Sequence, residues 1–459
     1  MTDFFMKTYH IITIGCQMNK SDSERVASRL EQNGYKKTDN KYQADLVVVN
    51  TCGVRQMAED RIYGLIPAIK KVNKKAKIVL TGCLANRKDV KNRLKNYVDV
   101  WMPISEISNR HLRITNRMPK KSFSCGNDDY LKIKPKYESE FSAYVPIGNG
   151  CNNFCSYCVV PYARGQEVYR PVKDILNEVK NLAKRNYKEI ILIAQNVNSY
   201  KSGKIGFADL LKLANNIKGD FWIRFITSHP KDMSGKLIKV IASSKKVCHH
   251  IHLPAQAGDD KVLKMMNRKY STKHYINLIK KIRQAMPDAS ITTDIIVGFP
   301  GETKKEFKNT VELMKEIKFD LAYIVRYSPR PGTAAFKLAD NVPMSEKKIR
   351  ENRLMEILRL TALANNKKYV GKILKVLIEG KNKRSELFGS TETAKTVKIS
   401  TGDFNQRLSW LRQISRSDDR VSRSDQSVGS LRNDKFIGKF VNIKITKARD
   451  FGLAGIAVK

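Results

Sequence analysis

The sequence predicts an α/β protein in three parts: an open parallel sheet, a full or partial βα barrel, and a small C-terminal β-barrel. Three observations predict this. Strand and helix patterns alternate from the N-terminus to about residue 80. Six further strand–helix units follow between about 137 and 369. The tail then switches to short strands separated by turn residues. Strands spaced by helices imply parallel pairing through right-handed crossovers. Six such units suit a barrel.

In the first part, Thr8–Ile14 reads as a strand, Asp22–Asn33 as a helix N-capped by Ser21, and Asp45–Asn50 as a buried strand. Val54–Val72 reads as a helix and Lys77–Leu80 as a strand. This part spans 7–122, and 123–136 reads as a polar linker. The second series has strands at Ala143–Gly148, Glu189–Ala194, Trp222–Ile226, His250–Leu253, Ser290–Val297 and Leu321–Arg326. Its helices include Val172–Arg185, Ala208–Ile217, Asp260–Met266, His274–Ala285 and Lys304–Lys315. In the tail, 370–459, the strands are Val376–Glu379, Thr396–Ser400, Phe440–Thr446 and Ala454–Val458, as in a small barrel. The segment 401–435 is polar, rich in Ser, Arg, Asp and Gln, and reads as a disordered insertion.

The 459 residues carry 86 Lys plus Arg against 44 Asp plus Glu, a net +42. A generally basic proteome is one reading. The functional one is a polyanionic partner, since Lys and Arg release phosphate counterions on binding. No apolar run reaches the roughly 18 residues of a spanning helix, and Met1–Tyr9 lacks a secretion signal. The expectation is a cytoplasmic protein with no membrane contact. In a reducing compartment its eight cysteines favour metal or catalytic roles over disulfides.

Two cysteine constellations carry the chemistry. GNGCNNFCSYCVVPYARG places Cys151, Cys155 and Cys158 in a C-x3-C-x2-C loop directly after a strand. Three thiolates can bind three irons of a 4Fe–4S cluster, leaving the fourth iron open. A structural zinc site wants four ligands, and no fourth Cys or His follows nearby. Gly148 and Gly150 permit close turns, and Tyr157 either stacks on a planar base or packs. The second set is dispersed. Cys16, Cys52 and Cys83 each end one strand of the first part. Ligands of open parallel sheets gather beyond the carboxyl ends of strands, so three such cysteines can share one metal centre. Cys125 and Cys248 read as spare thiols. In CHHIHLP, His250 and His252 share a strand face and His249 takes the other; a polar barrel interior suits them better than metal ligation. TTDIIVGFPGET brings Gly298, Gly301 and Glu302 to a turn suited to a cofactor pocket wall.

At these residues the chain resembles the radical S-adenosylmethionine methylthiotransferases over nearly its whole length. GCQMNKSDSE, NTCGVR and TGCLA match the family's N-terminal cluster motifs. GCNNFCSYCVVPYARGQEVYRP matches its radical loop. AQNVNSY, TSHP, HLPAQAGDDKVLKMMNRKY and DIIVGFPGET follow in family order, and GKILKVLIEG with FIGKFVNIKITKA resembles the RNA-binding TRAM module. Gln17–Asn19, Val159–Val160 and Gln195–Asn198 favour the branch acting on isopentenyl-adenosine. The chain departs from that branch at Gly53, Gln56, Tyr169 and Ala257, and 401–435 splits the TRAM region.

The resemblance implies a Rossmann-like cluster domain, a radical SAM barrel and a TRAM β-barrel. It implies a tRNA substrate, two 4Fe–4S clusters and S-adenosylmethionine. Cys151, Cys155 and Cys158 would hold the catalytic cluster, and Cys16, Cys52 and Cys83 a sulfur-carrying one. Tyr157, Gly298 and Glu302 would face the cofactor. A methylthio group would be placed on C2 of the modified adenosine beside the anticodon, in two S-adenosylmethionine-dependent steps. A flavodoxin or ferredoxin-like donor and a sulfur source are expected, with a monomer as default. The rival readings are the threonylcarbamoyl-adenosine relative, the ribosomal-protein relative, and a non-catalytic iron–sulfur RNA-binding protein.

Overall fold

The computed structural model describes residues 7–54, 56–107, 130–400 and 434–458. Cys125, half of the 123–136 linker and most of the 401–435 insertion lie outside them.

The N-terminal sheet has five parallel strands in the order Lys36–Lys37, Thr8–Ile14, Leu46–Thr51, Lys77–Gly82 and Val100–Met102. The order reverses between Thr8–Ile14 and Leu46–Thr51, which opens a crevice beyond their carboxyl ends. Leu46–Thr51 is buried along its whole length, as a central strand covered on both faces requires. The two outer strands, Lys36–Lys37 and Val100–Met102, are too short for periodicity to announce.

The first helix corrects the sequence reading. It runs Gln17–Gln32, with Cys16 rather than Ser21 as its N-cap. Asn19 is the cause: its Oδ1 accepts from the Cys16 amide at 3.2 Å, closing the first turn early. Ser21 is therefore inside the helix, where its Oγ accepts from Arg25 Nη1 at 2.7 Å.

The barrel is partial. Ser142–Pro146, Glu189–Ile193 and Trp222–Phe225 pair in parallel, as do His250–His252, Ser290–Val297 and Leu321–Arg326. Among the described residues a single parallel bridge, Ile223 to Val247, joins the two sets. Helices Val172–Lys184, Phe207–Asn215, Gly235–Ser243, Thr272–Ala285 and Lys304–Ile317 enclose one continuous apolar core. The long helix Met344–Lys367 packs on the last barrel strand and on the strand Phe440–Arg449.

The tail forms a closed five-stranded barrel, ordered Ile373–Lys381, Leu387–Thr391, Thr396–Ile399, Gly452–Ala457 and Phe440–Arg449. It seats on the amino-terminal ends of the large barrel's strands. Arg224 donates to the carbonyls of Thr391 and Glu392, each at 2.7 Å, while its Nε reaches Glu189 at 2.5 Å. Lys395 pairs with Asp320, and the Trp222 and Phe440 rings lie 4.6 Å apart. Cys248 is buried at this junction beside Trp222 and Leu377, which is packing. No helix among the described residues is long and apolar enough to cross a membrane.

Candidate active site

Strand register sets the first group of cysteines. Ile14 pairs with Thr51, and Thr51 with Gly82, so three strands end level. The chain then turns into Cys16, Cys52 and Cys83. The Cys52 amide donates to Ile14 at 2.9 Å and the Cys83 amide to Thr51 at 2.8 Å, which carries the ladder one residue past the strands. Gly82 has φ +87°, and a Cβ there would meet the Thr51 carbonyl at 2.3 Å. Only glycine permits that approach.

Buried Asn19 and Asn50 lock the arrangement. Asn19 Nδ2 donates to Asn50 Oδ1 at 2.9 Å, and Asn50 Nδ2 donates back to the Asn19 carbonyl at 2.8 Å. The Cys16 thiol donates to Asn19 Oδ1 at 3.2 Å. The sequence pattern leaves Asn19 ahead of the predicted helix and puts Asn50 at the end of a predicted strand, and nothing in it shows that they meet.

The second group sits where the first barrel strand ends. Gly150, at φ +85°, lies so close to Gln166 that a Cβ would meet its carbonyl at 2.0 Å. The Cys151 amide donates to Gly165 at 3.2 Å and the Cys158 amide to Cys155 at 2.9 Å. Asn153 Nδ2 lies 3.4 Å from Cys151 Sγ. Buried Arg268 lies with Nη1 3.5 Å from Cys155 Sγ, anchored by the Pro254 carbonyl and the Tyr270 hydroxyl. Arg268 falls far from the cysteine motif in sequence, so spacing alone does not find it.

The two groups face each other. A Cβ on Gly53 would stand 3.1 Å from Cys83 Cβ and 3.2 Å from Val159 Cγ2, so a side chain on the residue after Cys52 would crowd both Cys83 and the residue after Cys158. Two ion-pair systems hold the halves together. Asp22 of the first helix pairs with Arg164 of the cysteine loop at 2.6 Å, both buried. Arg330 of the barrel donates to Gln56 Oε1 at 2.5 Å and to the Val54 carbonyl at 3.1 Å. Its Nη1 also lies 3.4 Å from Glu59, which Arg87 grips at 2.6 and 3.0 Å. Between the halves lies a cavity of about 390 Å³, whose lining includes Cys83, Lys88, Val159, Tyr162 and Gly332.

Desolvation pushes the Cys151 and Cys158 thiols up, and the neighbouring Cys155 adds to the rise at Cys158. Thiols held neutral must lose protons when metal binds. Among the described residues no three His, Cys, Asp or Glu side chains close on a point as ligands of one ion would. A cluster attaches each thiolate to a different iron, so its ligands stand wider apart than those of a single ion. All-cysteine sets of three suit that role.

The other predicted residues are placed as follows. Tyr157 packs beside Met265 and Tyr270 in an apolar cluster that includes Phe299. Gly298, at φ +68°, is crowded by Lys347. Glu302 is buried, with Oε2 accepting from the Gly298 amide at 2.6 Å and from Arg350 at 2.7 Å. It therefore braces the glycine turn. His250 and His252 share a face, each 3.0 Å from Thr292 Oγ1. At the carboxyl ends of the barrel strands, buried Gln195 Oε1, Asn196 Oδ1 and Ser228 Oγ have no partner among the described residues. Such orphans fit a polar cofactor in that mouth.

Comparison with known proteins agrees. Residues 145–314 match the Radical SAM superfamily, and residues 8–103 match Uncharacterized protein family UPF0004. The tRNA-2-methylthio-N(6)-dimethylallyladenosine synthase of Clostridium novyi (strain NT) is 40% identical over 99% of this chain and 97% of its own. The protein of that name from Clostridium tetani is 40% identical over 98% and 96%. In fold, the chain is similar to the radical S-adenosylmethionine methyltransferase TsrM of Kitasatospora setae, with TM-score 0.50 and 12% identity over 72% of this chain and 75% of that one. Sequence and fold together leave one assignment: the chain belongs to the radical S-adenosylmethionine methylthiotransferases, in the group of the tRNA-2-methylthio-N(6)-dimethylallyladenosine synthases.

Proposed function

We propose that the protein adds a methylthio group to C2 of N6-isopentenyladenosine beside the tRNA anticodon, using two 4Fe–4S clusters and S-adenosylmethionine in two steps. The observation that carries this is the meeting of two three-cysteine groups across Gly53. Cys151, Cys155 and Cys158 hold the catalytic cluster; Cys16, Cys52 and Cys83 hold the cluster that provides sulfur. With S-adenosylmethionine, an iron–sulfur cluster open at one iron supplies the one-electron chemistry that an unactivated C–H bond needs.

The chain's own residues do the positioning. Arg268 sets a fixed positive charge beside Cys155. Asn153 supports Cys151, and the Asn19–Asn50 pair fixes Cys16 against Cys52. Gln195, Asn196 and Ser228 offer polar atoms to S-adenosylmethionine at the strand ends. Tyr157, Gly298 and Glu302 shape the wall behind it.

We assign 7–122 to the cluster domain, 123–136 to a linker, 137–369 to the radical core, and 370–459 to a TRAM module carrying the 401–435 insertion. The net +42 suits the tRNA partner. A flavodoxin or ferredoxin donor, a sulfur source, a cytoplasmic setting and a monomeric chain complete the reading.

Nucleoside mass spectrometry of tRNA from a strain lacking the gene tests it. Loss of the 2-methylthio isopentenyl nucleoside is expected. Its retention with loss of the threonylcarbamoyl form would assign the protein to that relative. Unchanged tRNA with an unthiolated ribosomal protein would assign it to the other.

A further inference from the structure

Phe154 and Tyr162 stand out on the cysteine loop. Their side chains carry large apolar surface, yet Phe154 is 49% exposed and Tyr162 56% exposed. The rings meet edge to face, with centroids 6.1 Å apart and planes 80° apart. Phe154 also has φ +46°, a left-handed conformation that bulky residues rarely take. Asn267 holds it there, donating from Nδ2 to the Phe154 carbonyl at 2.9 Å. A strained backbone that turns an aromatic ring outward persists only where the surroundings enforce it. Tyr162, on the short helix Val160–Arg164, lines the cavity between the cysteine groups. Lys88, exposed and with no partner among the described residues, lines the same cavity.

An outward aromatic pair beside a free cation is the equipment that unpaired nucleic acid binds. Bases stack on the rings and a phosphate meets the ammonium. The net charge of +42 favours a polyanion over an apolar protein surface. We propose that Phe154 and Tyr162 form a stacking platform for a base flanking the target nucleotide in an unpaired RNA loop, with Lys88 on the backbone phosphate. The proposal rests on the tRNA reading above and deepens it. It makes these residues the selectors of single-stranded over duplex RNA at the cavity mouth.

The test titrates the reconstituted full-length protein with a fluorescent anticodon-arm hairpin carrying isopentenyladenosine, and with the same sequence as a duplex. Phe154→Ala and Tyr162→Ala should each weaken hairpin binding roughly 5- to 150-fold. Phe154→Tyr and Tyr162→Trp should restore it, because either ring still stacks. Lys88→Gln should flatten the salt dependence of binding by about one phosphate contact. Iron per chain is measured for each variant. If Phe154→Ala loses iron, the Tyr162 pair, outside the three-cysteine span, decides the matter. Hairpin binding unchanged in the alanine variants would overturn the platform. So would unchanged binding with slower reduction by flavodoxin, which would give the surface to a protein partner. Failure of the wild-type protein to bind or thiolate the hairpin would instead sink the tRNA reading.

Discussion

The two cysteine groups reach similar compositions by opposite routes. Cys151, Cys155 and Cys158 lie on one loop, so local turns alone bring them near one another. Cys16, Cys52 and Cys83 come from three strands and meet only because the sheet register ends those strands level. The first group depends on a short stretch of backbone. The second depends on the topology of a whole sheet and on the helix that caps it. The loop group should therefore tolerate damage elsewhere better than the strand-end group.

Removing each group outright gives the largest effect. Alanine at Cys151, Cys155 and Cys158 should abolish reductive cleavage of S-adenosylmethionine and lower the iron content after anaerobic reconstitution. Alanine at Cys16, Cys52 and Cys83 should also lower iron, yet keep cleavage to 5′-deoxyadenosine while thiolation is lost. Unchanged iron and cleavage in the first variant, or surviving thiolation in the second, would end the two-centre reading.

The comparison is strained next by Asp22→Asn. This change keeps the shape but removes the carboxylate that balances buried Arg164, which joins the first helix to the cysteine loop. Breaking such a pair costs about 3–5 kcal/mol. Both groups should load iron poorly, and the urea unfolding midpoint should fall. A stable variant with full iron would show that the halves do not need this tie.

Gly82→Ala separates the groups. The new Cβ meets the Thr51 carbonyl, and the left-handed backbone alone costs about 1–2 kcal/mol. Thiolation should drop while S-adenosylmethionine cleavage persists. Equal loss of both would mean the groups are not independently supported.

The smallest expected effect is on stability. Burial raises the Glu24 carboxyl to about 7 from its usual 4.5, although the Glu138 amide opposes the shift. In the folded protein it therefore keeps its proton where the unfolded chain has lost it. Stability contributed by this group falls as pH rises from about 4.5 to about 7. Glu24→Gln should stabilise the protein at pH 8 by roughly 1–3 kcal/mol. The difference should vanish near pH 4.5, as read from urea unfolding at both values. A gain equal at both pH values would point to packing instead.

Much of the fold is legible in the sequence. Strands Thr8–Ile14, Ser290–Val297 and Leu321–Arg326 have the bounds their apolar patterns predict. The placement of the six cysteines is legible because Cys16, Cys52, Cys83 and Cys151 follow strands and Cys155 and Cys158 share the loop of Cys151. Helix Met344–Lys367 was not, because Lys347, Arg350 and Asn366 are buried on it alongside Leu354, Ile357 and Leu358, which blurs any stripe. Leu387–Thr391 was hidden by its glycine and polar residues. The start of the first helix is hidden because its N-cap is Cys16, with the Asn19 side chain closing the first turn, in place of a Ser. Arg268, Arg164 and Asn50 needed tertiary structure, since their partners are remote in sequence.

The seat of the C-terminal barrel sets a length. It pairs with Asp320 and packs on Trp222 at the amino ends of the strands, while the cysteine loop leaves from a carboxyl end. Strands of five or six residues at about 3.3 Å each put the two ends ~17–20 Å apart. On the proposed tRNA reading, an RNA touching both would run the height of the large barrel along its flank. On that reading the fold would act as a ruler, admitting to the cysteines only a nucleotide at a set distance from RNA held at the C-terminal barrel.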